Sequence, residues 1–517
     1  MNSDPTPQVS PSPARASSVA REFPRAVGEA LLLAAAAFFL AALLFITLSR
    51  IRYPYALEWL EGTSLIHVQR ILAGELIYVE PTLSFVPLSY PPVYYYVGAA
   101  ATLTLGPGFL PLRVVSLLSS LGCFGLIFCL VRRQGGTVTS ALTSVGLFAA
   151  MFRISGAWYD IARVDMLATL LMLAGVLLSC SRGVGRTAAA GALMALACLT
   201  KQSFIVVLVA LSVHGLLFRR NRAAVAFAVS AATIYLASVA ALDWLHGGWF
   251  KFFVFELPGR HDLLREIAFA TRYVWLERMI LTLPVVTALA IYYVLRGIRR
   301  DEIGAAMPRL GSDAAALGTV LAATVLLAWS GLANPGGYDN VLVPALAMLA
   351  PLAGLGLHHV RSLDRKVAIR LSVEALALLQ FVLLSYPIAA QIPSDTDARA
   401  GAGLVELLRE QPGEVLVPYH PELAWLAGKP TYANYIALYE LEGGQGGGDA
   451  DLWRVVRGQL QTAFRTRKFS LILLDKGQFW GGPQRYYEAS LPPLVGEEFY
   501  PVTGWKVRPV IAFGLPD

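Results

Sequence analysis

Charge is scarce in this 517-residue chain. Asp, Glu, Lys and Arg together make up 15% of it, where soluble domains carry roughly a quarter. That shortage argues against an ordinary soluble enzyme, and a mean hydropathy of +0.57 points to a polytopic membrane protein. Cysteine is scarce as well. Cys123, Cys129, Cys180 and Cys198 all lie in apolar stretches, at spacings that suit neither zinc nor a disulfide framework. They read as small buried hydrophobes. The seven histidines are scattered, and the chain lacks a P-loop, GxSxG, HExxH or CxxC motif. The net charge of +7 would suit nucleic acid, but the basic residues sit in short turns between apolar runs, which is a topology signal. No nucleic-acid partner is expected.

What the chain has in abundance is long apolar runs. A bilayer core needs about 20 apolar residues per helix. Candidate spans fall at 28–49, 112–131, 137–153, 165–181, 187–200, 203–218, 223–242, 279–296, 314–330, 340–357 and 368–389, eleven in all. The expected organisation is a disordered cytoplasmic tail (1–27), a transmembrane catalytic domain (28–389) and a small α/β domain (390–517). In that last domain EVLVPYH (414–420) and SLILLD (470–475) read as strands, with an amphipathic helix over 451–464 between them. The segment 92–106 opens on two prolines and three tyrosines. Counting it as a crossing would scatter the Arg-rich turns over both faces, so it is expected to be interfacial. The N-terminus is then cytoplasmic, and five loops share the outer face: 50–111, 154–165, the turn Thr200–Gln202, 243–278 and 331–339. The C-terminal domain lies there too.

These outer loops carry costly charges. Leu57, Leu60, Val68 and Ile71 recur at helical spacing, with Gly74 as a stop, which would put Glu58 and Glu61 on one helix face. The second loop, SGAWYDIARVDMLAT (155–169), brings Asp160, Arg163 and Asp165. Asp165 is expected to cap the following helix, and Asp160 to pair with Arg163 or Arg153. Lys201 between two apolar spans needs a partner or a ligand. Arg260, His261 and Arg265 form a basic cluster suited to a phosphate, and NPGGYDN (334–340) adds Asp339 and Asn340 on the same side.

Two stretches resemble a known family. One runs from Glu61-Gly62 through Gly74-Glu75 to Tyr78 and on to SYPPVYYY, which contains Tyr90; the other is RISGAWYDIARVDML. Both are similar to motifs of the GT-C superfamily of polyprenyl-phosphate-dependent glycosyltransferases, among them the bacterial family-39-like, mannosyl- and aminoarabinose-transferase types. The tail lacks the WWD-type signature of the peptide-glycosylating branch. The resemblance implies transfer of a sugar from a polyprenyl-phosphate donor to an acceptor hydroxyl, with inversion, on the outer face of the cytoplasmic membrane. It implies Glu61 or Glu58 as the base and Asp165 and Asp160 as orienting groups. Lys201, Arg260, His261, Arg265, Tyr78 and Tyr90 are the implied substrate contacts, and Tyr-rich 92–106 would line a prenyl groove. A divalent cation, Mg²⁺ or Mn²⁺ on Asp160 and Asp165, is left open, as is the acceptor: glycan, lipid or protein. A glycan ligase or polymerase fits less well, because those enzymes place their key residues in one late loop. A secondary transporter would place its charges within the spans.

Overall fold

The computed structural model describes residues 13–181, 183–299, 310–363, 367–492, 494, 496 and 498–516. Helices come first: α1 (Pro13–Arg50), α2 (Glu61–Leu72), α3 (Val93–Leu105), α4 (Phe109–Arg133), α5 (Val138–Ala150), α6 (Asp165–Ser179), α7 (Val184–Thr200), α8 (Ile205–His214) and α9 (Arg222–Leu245). Helices Pro284–Arg299, Asp313–Leu332, Val343–Arg361 and Val367–Leu383 follow. Each candidate span overlaps helical residues, and the span at 279–296 straddles the bend between Glu266–Thr282 and Pro284–Arg299. Of the tail expected to end at residue 27, residues 1–12 lie outside the described residues, and α1 begins at Pro13.

Among the described residues six helices are long and apolar enough to cross a bilayer, or seven if the pair Glu266–Thr282 and Pro284–Arg299, bent by 93°, is taken as one span. Helices α5, α6 and α7 are apolar but run only 13, 15 and 17 residues, short of the roughly 20 that a full crossing takes. Several termini are capped by their own sequence: Thr137, Asn221 and Ser312 each accept a hydrogen bond from an amide of the first turn.

The helices sort by enclosure. The stretch Asp339–Arg361 has 94% of its apolar window buried, while Arg222–Leu245 has 11%. The first is therefore the axis of the bundle and the second faces outward. Small residues make that axis possible. A Cβ on Gly354 would sit 1.9 Å from Ser144 Oγ of α5, and one on Gly356 2.2 Å from the Leu289 carbonyl oxygen. Two neighbours thus reach the central backbone through glycine, the usual device where helices pack without a solvent-driven core.

The C-terminal stretch has the α/β character its sequence predicts. Strands β1 (Glu414–Leu416), β2 (Phe469–Leu474), β3 (Glu488–Ser490) and β4 (Ile511–Gly514) form one sheet in the order β1-β2-β4-β3. The β1–β2 pair is parallel and the other two pairs are antiparallel. The crossover from β1 to β2 carries helix Ala450–Arg465, whose Trp453, Val456, Leu460 and Phe464 are buried.

Candidate active site

The first outer loop differs from its sequence reading. Helix α2 begins at Glu61, so Glu58 is not on that helix and the two glutamates do not share a face. Glu58 instead makes an isolated bridge with Thr503 of the C-terminal stretch, where Thr503 N–H donates to the Leu57 carbonyl at 3.3 Å. Thr503 Oγ1 also donates to the Gly156 carbonyl and lies 3.2 Å from Tyr338 Oη. One threonine thus ties together the first loop, the second loop, the 331–339 turn and the tail.

The two glutamates have different surroundings. Glu61 is wholly buried and fully engaged. Arg113 of α4 donates to it from Nε (3.1 Å) and Nη2 (2.8 Å), and the amides of Leu57 (2.6 Å) and Ala162 (2.5 Å) donate as well. A buried carboxylate with four donors locks three segments together. Glu58 is buried too, but its engagements are weak: the Leu60 amide at 3.2 Å and Arg163 Nη1 at 3.8 Å. Burial pushes its pKa up to about 8; Arg163 opposes this, and Glu61 and Asp165 add to it. Gly504 leaves it room, because a Cβ there would lie 2.8 Å from Glu58 Cγ, at a φ of +78°.

The second loop separates its two aspartates. Asp160 faces Arg50 at the end of α1, which donates from Nε at 2.8 Å and from Nη2 as well. That ion pair is buried on both sides. The expected partners Arg163 and Arg153 are therefore replaced by a residue 110 positions away, because Arg50 too is inside and needs an anion. Asp165 is not a cap: the N-cap is Val164, without a side-chain bond, and Asp165 is the first helical residue. Its Oδ1 accepts from Lys201 Nζ (2.6 Å) and Asn340 Nδ2 (2.8 Å), while its Oδ2 is buried without a partner. Arg163 is buried beside Glu58. Its Nη2 donates to Tyr90 Oη at 3.2 Å, its guanidinium lies over the rings of Tyr90 and Trp158, and its Nε and Nη1 have no hydrogen-bond partner.

Glu58, Tyr90, Arg163, Lys201, His261 and Asn340 line one cavity of about 290 Å³. Every loop assigned to the outer face contributes to it, as does the C-terminal stretch through Ile436, Glu440, Gln445, Gly504 and Trp505. His261 Nδ1 lies 3.1 Å from Asn334 Oδ1, its Nε2 is unpartnered, and burial lowers its pKa. The structure does not bring the remaining candidates to this wall. Arg260 pairs with Asp449 at 3.1 Å near the surface, and Tyr78 is packed against His246 and Phe250 with its hydroxyl on the Tyr90 carbonyl. The side chain of Arg265 lies outside the described residues. Asp339 is engaged by Tyr273 and Arg278. Sequence reasoning missed Arg50, Arg113 and Glu440, and it treated Arg163 only as a partner for Asp160. A buried arginine within an apolar context was the available signal.

The residues do not suit a metal. Arg50 occupies both oxygens of Asp160, Lys201 and Asn340 occupy one of Asp165, and no group of three or more His, Cys, Asp or Glu side chains converges among the described residues.

Below the cavity, Ile205, Val206, Val209, Ala210 and Val213 of α8 face Thr319, Ala322, Ala323 and Leu326 of helix Asp313–Leu332 across an open apolar groove of about 630 Å³. Ser203 and Leu327, the neighbours of its upper end, line the cavity itself. Helix α3 does not form this groove; its Tyr94 and Tyr95 are buried with Tyr78, Phe250 and Phe253.

No protein-family model matches the chain, and no curated protein matches it by sequence. Solved structures do match. ArnT from Cupriavidus metallidurans superposes with a TM-score of 0.58 in the apo state and 0.59 bound to undecaprenyl phosphate, at 13% identity, over 92% of this chain and 97% of that one. The Archaeoglobus fulgidus oligosaccharyltransferase in the apo form gives 0.51 at 11% identity, over 84% of this chain and 69% of that one. Over 92% of its length, then, the chain has the fold of ArnT.

Proposed function

We propose that this protein is a membrane glycosyltransferase that moves a sugar from a polyprenyl-phosphate donor to an acceptor hydroxyl, with inversion at the anomeric carbon. One observation carries the reading. A buried arginine, Arg163, whose Nε and Nη1 make no hydrogen bond, stands beside a weakly engaged carboxylate of raised proton affinity, Glu58, in a cavity whose lining residues Ser203 and Leu327 are chain neighbours of an apolar groove. A phosphate on a long apolar chain satisfies the arginine and the groove together. The likeness to ArnT, which was solved with undecaprenyl phosphate bound, supports the same ligand class.

In this reading Arg163 and Lys201 hold the donor phosphate, and the prenyl chain descends between α8 and helix Asp313–Leu332. Glu58 takes the proton from the acceptor hydroxyl as its oxygen attacks the anomeric carbon. The carbon–oxygen bond to phosphate breaks, and the electron pair leaves on the phosphate, where the two cations stabilise it. Asp165 positions Lys201. Glu61 and Asp160 are structural, so the order expected from sequence, Glu61 before Glu58, is reversed. The transmembrane domain (28–389) carries the chemistry and 390–517 closes it from outside. The positive-inside pattern supports a cytoplasmic N-terminus and a site on the outer face of the inner membrane.

The groove is tested by filling it. Ala322→Trp and Val209→Trp are expected to weaken binding of undecaprenyl phosphate to the purified protein by about tenfold or more, a loss of about 1.4 kcal/mol, since each indole fills space the prenyl chain would occupy. Native mass spectrometry reads the bound lipid. Unchanged binding in both variants would move the prenyl chain elsewhere.

A further inference from the structure

The C-terminal stretch builds part of the cavity wall and gives it a chemistry of its own. Trp505 is 41% exposed and lies parallel to Trp59, with centroids 5.3 Å apart and planes at 3°. Both line the cavity. The pairing holds the outer indole flat and in place at the cost of only a few rotamers. The same cavity is lined by Glu440 of helix Tyr435–Glu442, whose Oε2 accepts from Ser89 Oγ at 2.7 Å, and by Gln445, whose backbone carbonyl accepts from the Asp262 amide. Lys476 Nζ lies 6.0 Å from the Trp505 ring centroid. A half-exposed indole in a wall that also carries a carboxylate and an amide suits a sugar ring, which presents C–H bonds on one side and hydroxyls around its edge. A peptide would call instead for unpaired backbone along an edge strand.

We propose that Trp59, Trp505, Glu440 and Gln445 form the acceptor subsite and that the acceptor is a saccharide, whose hydroxyl this wall turns toward Glu58. The proposal rests on the transferase reading. Within it Trp505 is the stacking platform and Glu440 a specificity-determining residue that accepts hydrogen bonds from hydroxyls flanking the reactive one.

Two probes separate this proposal from the reading beneath it: undecaprenyl phosphate alone, and a panel of short neutral oligosaccharides observed by saturation-transfer NMR. Both are applied to the full-length protein in lipid nanodiscs. The wild type is expected to bind some of the saccharides. Trp505→Ala and the isosteric Glu440→Gln each weaken that binding by about tenfold, on the scale of one aromatic contact or one hydrogen bond to a charged group, and Trp505→Phe restores most of it. Undecaprenyl phosphate binding stays within about twofold in all three variants, a range that leaves the phosphate seat intact. A wild type that binds the lipid but no saccharide, or Trp505→Ala and Glu440→Gln variants that keep full saccharide affinity, would overturn the subsite. Saccharide binding that depends on Trp505 in a protein that ignores the lipid would support the subsite and sink the transferase reading instead.

Discussion

Glu58→Gln is expected to lower sugar transfer by about 10²–10⁴-fold, the range for loss of a positioned general base, while the protein folds and purifies as the wild type does. Glutamine fills the same volume, and the original carboxylate gives up only one long amide contact and a 3.8 Å approach to Arg163. The pH profile supplies a second signature. Burial holds the Glu58 carboxyl at a pKa of about 8, so the base is protonated and idle below that value. Transfer therefore climbs about tenfold per pH unit toward pH 8 and levels off above it. Glu58→Gln removes this limb along with the activity. Full transfer by the variant would shift the role to Glu440, the other carboxylate lining the cavity, which burial raises to about 7.

Glu61→Gln is expected to fail differently. Arg113 is inaccessible to solvent and relies on Glu61 for its charge. Removing one partner of a buried ion pair costs about 3–5 kcal/mol, because the other charge stays behind uncompensated. The unfolding midpoint and the purified yield should both fall, in contrast to Glu58→Gln. Replacing the two together, Glu61→Leu with Arg113→Met, removes both charges and is expected to recover much of the lost stability. A Glu61→Gln protein as stable as the wild type, yet inactive, would restore Glu61 as the base.

The contrast between these two glutamates shows where sequence reasoning reached its limit. The acidic first loop, the charged second loop and Lys201 were legible because charge next to apolar runs needs a reason. The five loops that the arginine-rich turns group together all contribute to one cavity. Which glutamate is free was not legible. It depends on α2 starting at Glu61 and on Arg113, 52 residues away, pointing inward. Asp160 and Arg50 are 110 residues apart, and no local pattern pairs them. The same holds for Glu440 and Trp505: periodicity placed helices and strands in the tail, but only tertiary packing laid that surface over Glu58.

The central claim is tested most directly by incubating the purified protein with a panel of radiolabelled polyprenyl-phosphate sugars and membrane glycan extracts, with Glu58→Gln in parallel. The expected result is transfer from at least one donor, with release of polyprenyl phosphate and inversion at the anomeric carbon, and no transfer by the variant. A wild type that binds polyprenyl phosphate but transfers no sugar from any donor, or equal transfer by wild type and variant, would contradict it.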